Sequence, residues 1–285
     1  MDTASVVNAF KAAGLSRIAR NVERLALPSV RIVASVTDES AVPPGNSKLG
    51  GLPDLPSGTA WPECKGMPMS FIAQIRLSDL RQLDPANVLP STGLLSFFYD
   101  AAQETYGDNP TDRGGWQVLY HDGAAGPAPL QRLPAPGTLP VAARFKACSL
   151  SFTSEWTLPV DPTIDTSDLK WTDDEQSRYD ELYGSFPTPA DRTAIHHRLL
   201  GHPNTLQDDM RSQCQLVSHG VTDSADPTAA ALLPGSSDWC LLLQVDSDEH
   251  AGMRWANNGM LYFWIQRREL AAHHFDGLWV ILQSE

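Results

Sequence analysis

Four blocks of this 285-residue chain occur twice in the same order, and no other feature limits its fold so tightly. Lys48-Leu49-Gly50-Gly51-Leu52-Pro53 matches Arg198-Leu199-Leu200-Gly201-His202-Pro203, and Phe71-Ile72-Ala73-Gln74-Ile75 matches Leu241-Leu242-Leu243-Gln244-Val245. Gly93 to Tyr99 matches Gly259 to Ile265, and Trp116-Gln117-Val118-Leu119 matches Trp279-Val280-Ile281-Leu282. The series reads as a basic-Leu-x-Gly-x-Pro turn, a strand carrying a glutamine, a glycine-led aromatic strand and a tryptophan-led strand. Its recurrence predicts an internal duplication. The expected class is α+β, with two related sheet-rich halves packed as one compact unit behind an N-terminal helix. Residues 1–140 would hold the helix and the first repeat, and residues 141–285 the second, within one continuous structural domain.

Charge narrows the partners. There are 21 Lys and Arg against 34 Asp and Glu, a formal net charge of -13. Such a chain repels phosphate backbones and anionic lipid, which argues against a nucleic-acid or membrane-surface binder, and it attracts a basic partner. Cys64, Cys148, Cys214 and Cys240 lie singly, with no C-x-x-C pattern, so buried reduced thiols are expected rather than a metal or redox centre. The first residues carry Asp2 and then Lys11, Arg17, Arg20 and Arg24 among spaced apolar residues, unlike a signal peptide. No stretch approaches the roughly 18 to 20 apolar residues of a membrane span. A cytoplasmic protein is expected.

Val7, Phe10, Gly14, Ile18, Val22 and Leu25 recur at helical steps, predicting one helix of about twenty residues, capped by Thr3 or Ser5, stopped by Pro28 and packed onto a sheet. A β-branched run predicts a strand over 30–36. Six prolines between 41 and 68 predict an ordered loop there. Strands are expected near 70–76, 93–99 and 115–121, with a helical turn over 79–83. The proline- and glycine-rich stretch 122–140 reads as a linker. After a strand over 149–157, Thr172-Asp173-Asp174-Glu175 has the form of a capping box, opening a helix of about ten residues that closes at a left-handed Gly184. The remaining strands are expected near 213–218, 239–246, 259–266 and 278–283.

Motifs for chemistry are mostly missing: there is no G-x-G-x-x-G, Walker loop, G-x-S-x-G elbow, H-E-x-x-H or kinase set. No cofactor is expected. His196-His197 and His273-His274 are adjacent pairs whose side chains point to different faces, so neither chelates one metal readily. Carboxylates gather in the second repeat, in the polar loop with Gln207, Asp208 and Asp209 and in Asp246-Ser247-Asp248-Glu249 after the glutamine strand. The latter starts like a calcium loop, but Ala251 stands at the sixth position and Asn257 at the twelfth, so no metal site is assigned. Gln207, Asp208, Asp209, Asp246, Asp248 and Glu249 are therefore candidate partner- or ligand-binding residues. The aromatic strands read as sheet core. Gln74 and Gln244, polar within apolar strands, need internal hydrogen-bond partners and are expected to brace the turns formed by Lys48, Gly51 and Pro53 and by Arg198, Gly201 and Pro203.

These blocks, with Gln207-Asp208-Asp209-Met210 and Cys214-Gln215-Leu216, resemble the YwqG-like bacterial proteins of unknown function over roughly residues 45 to 283. Asp208 stands where that family usually has Gly. The family has no established reaction or catalytic residues, so none is carried over. Its association with toxin and immunity genes implies a neutralising role. The leading expectation is a non-catalytic binding protein, an immunity or antitoxin-type protein meeting a basic toxin or effector domain. The alternative is an enzyme or small-ligand or metal-binding protein using Gln207, Asp208, Gln244, Asp246 and Asp248. Oligomeric state is left open.

Overall fold

A computed structural model describes residues 2–84, 86–123, 129–187 and 194–285. The strands are β1 (Leu27–Val36), β2 (Lys48–Leu49), β3 (Asp54–Pro56), β4 (Glu63–Cys64), β5 (Met67–Pro68), β6 (Ser70–Arg76), β7 (Leu94–Tyr99), β8 (Trp116–His121), β9 (Leu130–Arg132), β10 (Cys148–Thr157), β11 (His197–Leu199), β12 (Trp239–Asp246), β13 (Met260–Gln266) and β14 (Trp279–Gln283). The helices are α1 (Thr3–Ala12), α2 (Val22–Leu25), α3 (Thr163–Thr166), α4 (Asp173–Ser185), α5 (Met210–Ser218), α6 (Ala229–Leu232) and α7 (Arg267–Ala271).

Ten strands form one antiparallel sheet in the order β14-β13-β12-β11-β1-β10-β2-β6-β7-β8. The apolar runs of β6, β7, β12, β13 and β14 are buried nearly throughout, as strands covered on both faces must be. The sheet curls until its ends almost meet. Phe97 packs edge-on against Phe263 with ring centroids 5.2 Å apart, and Trp116 on β8 packs against Trp279 on β14 at 4.9 Å. The Trp116 indole N–H donates to the Leu278 carbonyl across this seam, and the Leu282 amide donates to the Tyr106 carbonyl. The result is a barrel-like, nearly closed sheet around one large apolar core.

The sheet order has the same form read from either end. Lys48 stands opposite Gln74, and Arg198 stands opposite Gln244. A bulge leaves Ile72 unpaired between Phe71 and Ala73, and another leaves Leu242 unpaired between Leu241 and Leu243. The central pair β1 and β10 crosses the halves. β1 pairs with β11 and β10 pairs with β2, so residues 1–140 and 141–285 each place a strand against the other. Trp279 stands opposite Trp264, in the ladder position that Gln117 holds opposite Phe98, so Trp116 and Trp279 do not occupy matching sites. They meet at the seam instead.

Several local expectations change. The N-terminal helix is broken: α1 ends at Ala12 and Gly14 turns with φ +78°, where a Cβ would sit 2.1 Å from the Arg178 guanidinium. Asp2, rather than Thr3 or Ser5, caps α1 through the Ser5 amide, and Pro28 lies inside β1. Val6, Phe10, Ile18 and Leu25 pack with Tyr179 of α4 and Leu158, a small core beside the large one. Residues 213–218 are not a strand. Asp209 accepts from the Ser212 amide and starts α5, which buries Met210, Cys214 and Val217 on one face. The Pro-rich stretch 41–68 contains four short strands, β2 to β5, and the turn expected over 79–83 forms at Leu77–Leu80. The expected linker carries β9, which pairs with β3; residues 124–128 of it lie outside the described residues. Thr172 and Glu175 form the capping box, with hydrogen bonds in both directions, but α4 runs through Gly184 to Ser185.

Candidate functional site

At each Gly-Pro turn the chain leaves its strand through the left-handed region, at Gly50 (φ +62°) and Gly51 (φ +72°) and at Leu200 (φ +59°) and Gly201 (φ +73°). A Cβ on Gly51 would come 2.0 Å from a Glu39 carboxylate oxygen, and one on Gly201 within 2.6 Å of Ser29 and Thr157. Glycine is required at both. Gln74 and Gln244 are fully buried beside these turns. The Gln74 carbonyl oxygen accepts from the Asp54 amide at 2.8 Å, and its amide donates to the Asn46 carbonyl at 2.7 Å and to Asp54 Oδ2 at 2.8 Å. Gln244 accepts from the Asn204 amide at 2.8 Å and donates to the His196 carbonyl at 2.6 Å and Asn204 Oδ1 at 3.0 Å. Pro53 and Pro203 each immediately precede the residue so held.

The basic residue of each turn is buried and paired. Lys48, 0% exposed, meets Glu39 at 2.9 Å and Asp54 at 3.1 Å. Arg132 of β9 joins the same two carboxylates, so two cations face two anions. Burial pushes the Asp54 carboxyl up, but Arg132, the Gly45 amide, Lys48 and Gln74 outweigh it and hold the group below its ordinary range. Arg198 meets Glu155 at 3.2 Å and donates to the His202 carbonyl at 3.0 Å, while Arg31 donates to the Ile195 carbonyl. The participation of Arg132, Arg31 and Glu155 has no local sequence signal, because each comes from a distant strand.

The acidic candidates divide. Asp246 is half-buried and accepts from the His196 amide at 2.8 Å; burial pushes its carboxyl up, partly offset by that amide and His197. Asp248 is buried, accepts from the His250 and Ala251 amides and faces His197 Nε2 at 3.5 Å. The His197 contact and the two amides hold Asp248 down at about 2. His196 and His197 do point apart, the first toward Arg31 and the second toward Asp246 and Asp248. Glu249 is exposed, and its carboxylate has no partner among the described residues. Among the described residues, no three His, Cys, Asp or Glu side chains come together as a metal-binding set.

Gln207, Asp208 and Asp209 instead border a cleft of about 390 Å³ on the outer face of β12 and β13. Gln283 of β14 holds this rim by accepting from the Leu206 and Gln207 amides and donating to the Asp208 carbonyl. Asp209 is engaged with α5 and with Arg211, which also pairs with Asp165 at 3.1 Å. The Asp208 carboxylate is exposed and without a partner among the described residues. Leu27, Trp239, Leu241 and Trp264 form the apolar wall. His202, also in this wall, donates from Nε2 to the Leu25 carbonyl at 2.8 Å, and burial holds its imidazole down at about 4. A second cleft of about 300 Å³ lies beside the other turn, with Gly51, Leu52, Phe71 and Phe145 in its wall.

Together these features define an acidic, sheet-rich protein whose turn cations are paired inside and whose clefts lie beside two glutamine-braced turns. No helix among the described residues is long and apolar enough to cross a membrane. The chain belongs to the DUF1963 family, a domain of unknown function, whose model matches residues 47–284. No curated protein matches it.

Proposed function

We propose that this protein is a non-catalytic binding protein whose acidic surface receives a basic protein domain, most concretely an immunity-type protein that neutralises a toxin. One observation carries the reading: anions outnumber cations by 34 to 21, and several of the cations are spent on internal or local pairs while exposed carboxylates are left over. Arg17, Arg24, Lys48, Arg76, Arg132, Arg178, Arg198 and Arg211 all meet carboxylates. Asp208 and Glu249 are exposed with no such partner among the described residues, on a chain of net charge -13. The charge offered to solvent is thus strongly negative, which steers a basic partner. A carboxylate-based acid–base site draws less support, because Asp246 and Asp248 are engaged with His196, His197 and backbone amides.

The matching registers around Gln74 and Gln244 support an internal duplication as the origin of the two halves, and the shared blocks support kinship with YwqG-like proteins. Co-expression with the product of the adjacent gene tests the function. Growth arrest by that product alone, relieved by this protein, is expected. A harmless neighbour, or toxicity unaffected by co-expression, would sink the immunity reading.

A further inference from the structure

The two glutamine-braced turns lead into segments that are held alike but covered differently. Gln74 accepts from the Asp54 amide and donates to the Asp54 side chain, and Gln244 does the same with Asn204. In the first half the segment continues as β3, and β9 lies along its edge with Asp54 opposite Arg132 and Leu55 opposite Gln131. The Leu133 amide donates to the Pro53 carbonyl, and the Leu133 side chain packs on a small core of Leu55, Phe71 and Phe98. In the second half no strand lies beside Pro203 to Leu206 among the described residues.

The groups that β9 satisfies in one half are therefore left over in the other. Antiparallel bonding alternates along a ladder, so after the Pro53–Leu133 bond the next bonded position is Leu55 with Gln131. The corresponding groups are the Pro203 carbonyl and the N–H and C=O of Thr205, and none of the three has a hydrogen-bond partner among the described residues. Pro203 and Thr205 are half-buried and border two clefts at once, the one of about 390 Å³ and another of about 410 Å³ with Glu155, Trp156 and Tyr183 in its wall. A strand sends successive side chains to opposite faces. One laid on this edge would put the residue opposite Asn204 into the 410 Å³ cleft and its neighbours toward the 390 Å³ cleft, as β9 turns Arg132 to Asp54 and Leu133 to Phe71 and Phe98. Phe71 stands opposite Phe98 just before the bulge of β6, and Leu241 opposite Trp264 just before that of β12. Leu241 and Trp264 are themselves buried, so the apolar surface met there is that of Val160 and Ile164, 44% and 48% exposed.

We propose that the edge from Pro203 to Leu206 docks an extended peptide segment of another protein, added as a strand as β9 is added to β3, with apolar side chains at alternate positions. β9 fixes the kind of occupant, because the same fold closes the matching edge with a strand. The site does not rest on the acidic surface proposed for a basic domain. The probes are two acetylated, amidated peptides, Thr-Val-Lys-Val-Thr-Val-Lys and the β9 sequence Pro-Leu-Gln-Arg-Leu-Pro, titrated by calorimetry into the full chain. Saturable binding of at least one is expected. N-methylation of one alternate set of its residues should abolish binding, while methylation of the other set is tolerated, since only every second amide of an edge strand faces its partner. Thr205→Pro removes an N–H that bonds to nothing in the free protein, so it should weaken the peptide about tenfold with the thermal midpoint nearly unchanged. Ile164→Ser should weaken it as well, and this surface variant remains informative if Thr205→Pro fails to fold. No binding of either probe, binding indifferent to both methylation patterns, or an affinity untouched by both variants would overturn the proposal.

Discussion

Gln74 and Gln244 each satisfy three backbone or side-chain groups inside the protein, so their worth lies in what they leave unpaired when removed. Gln74→Leu deprives the Asp54 amide of its acceptor and the Asn46 carbonyl of a donor; Gln244→Leu does the same to Asn204 and His196. Each should cost about 1 to 3 kcal/mol in urea denaturation. An unchanged midpoint would show that the braces contribute nothing. These two residues were legible because a glutamine in an apolar run has to find partners. Lys48 and Arg198 were legible as turn residues, but their burial was not, since Glu39, Asp54 and Glu155 reach them only in the folded chain. His202 carries a pH dependence. Its folded value of about 4 lies below the ordinary value of about 6.5, so the neutral form stabilises the native state. That contribution is complete above the ordinary value and is lost as pH falls from about 6.5 toward 4, amounting to about 3 kcal/mol at most. His202→Gln, which cannot titrate, should flatten the stability profile over that interval; an unaltered profile would assign the acid sensitivity elsewhere.

The start of α4 was legible, but the lengths of the helices were not. The Thr172 capping box is local chemistry, and the structure adds Arg17, whose guanidinium grips Glu175 and holds its carboxyl down at about 2. Thr172→Ala should lower stability by about 1 kcal/mol, measured as a shift in thermal midpoint, and no shift would mean that Arg17 alone secures this end. Gly184 was expected to close α4, yet it lies inside the helix, because a glycine permits the left-handed conformation without imposing it. Residues 213–218 were misread as strand, although Met210, Cys214 and Val217 follow helical steps and Asp209 precedes them as a cap. β9 is three residues long and has no periodicity to detect; only its pairing with β3 defines it.

Eight of the ten strands of the large sheet were legible, β2 and β11 having been read as turns, but the sheet's closure and the crossing of its halves were not. Trp116 and Trp279 looked like equivalent residues and are instead partners at the seam. The cleft wall escaped for a related reason, as Leu27, Trp239 and Arg267 come from distant parts of the chain. Because β1 and β10 each sit against the other half, fragments 1–140 and 141–285 expressed separately should show no cooperative unfolding, whereas together they should regain it. Cooperative unfolding of either fragment alone would establish independent domains. The negative surface is the property on which the proposed function turns, and association kinetics with the neutralised partner measure it. The on-rate should fall steeply from low to high salt, and Asp208→Lys with Glu249→Lys should reduce it at low salt while the thermal midpoint stays nearly unchanged. An on-rate indifferent to salt and to both reversals would contradict electrostatic capture of a basic partner.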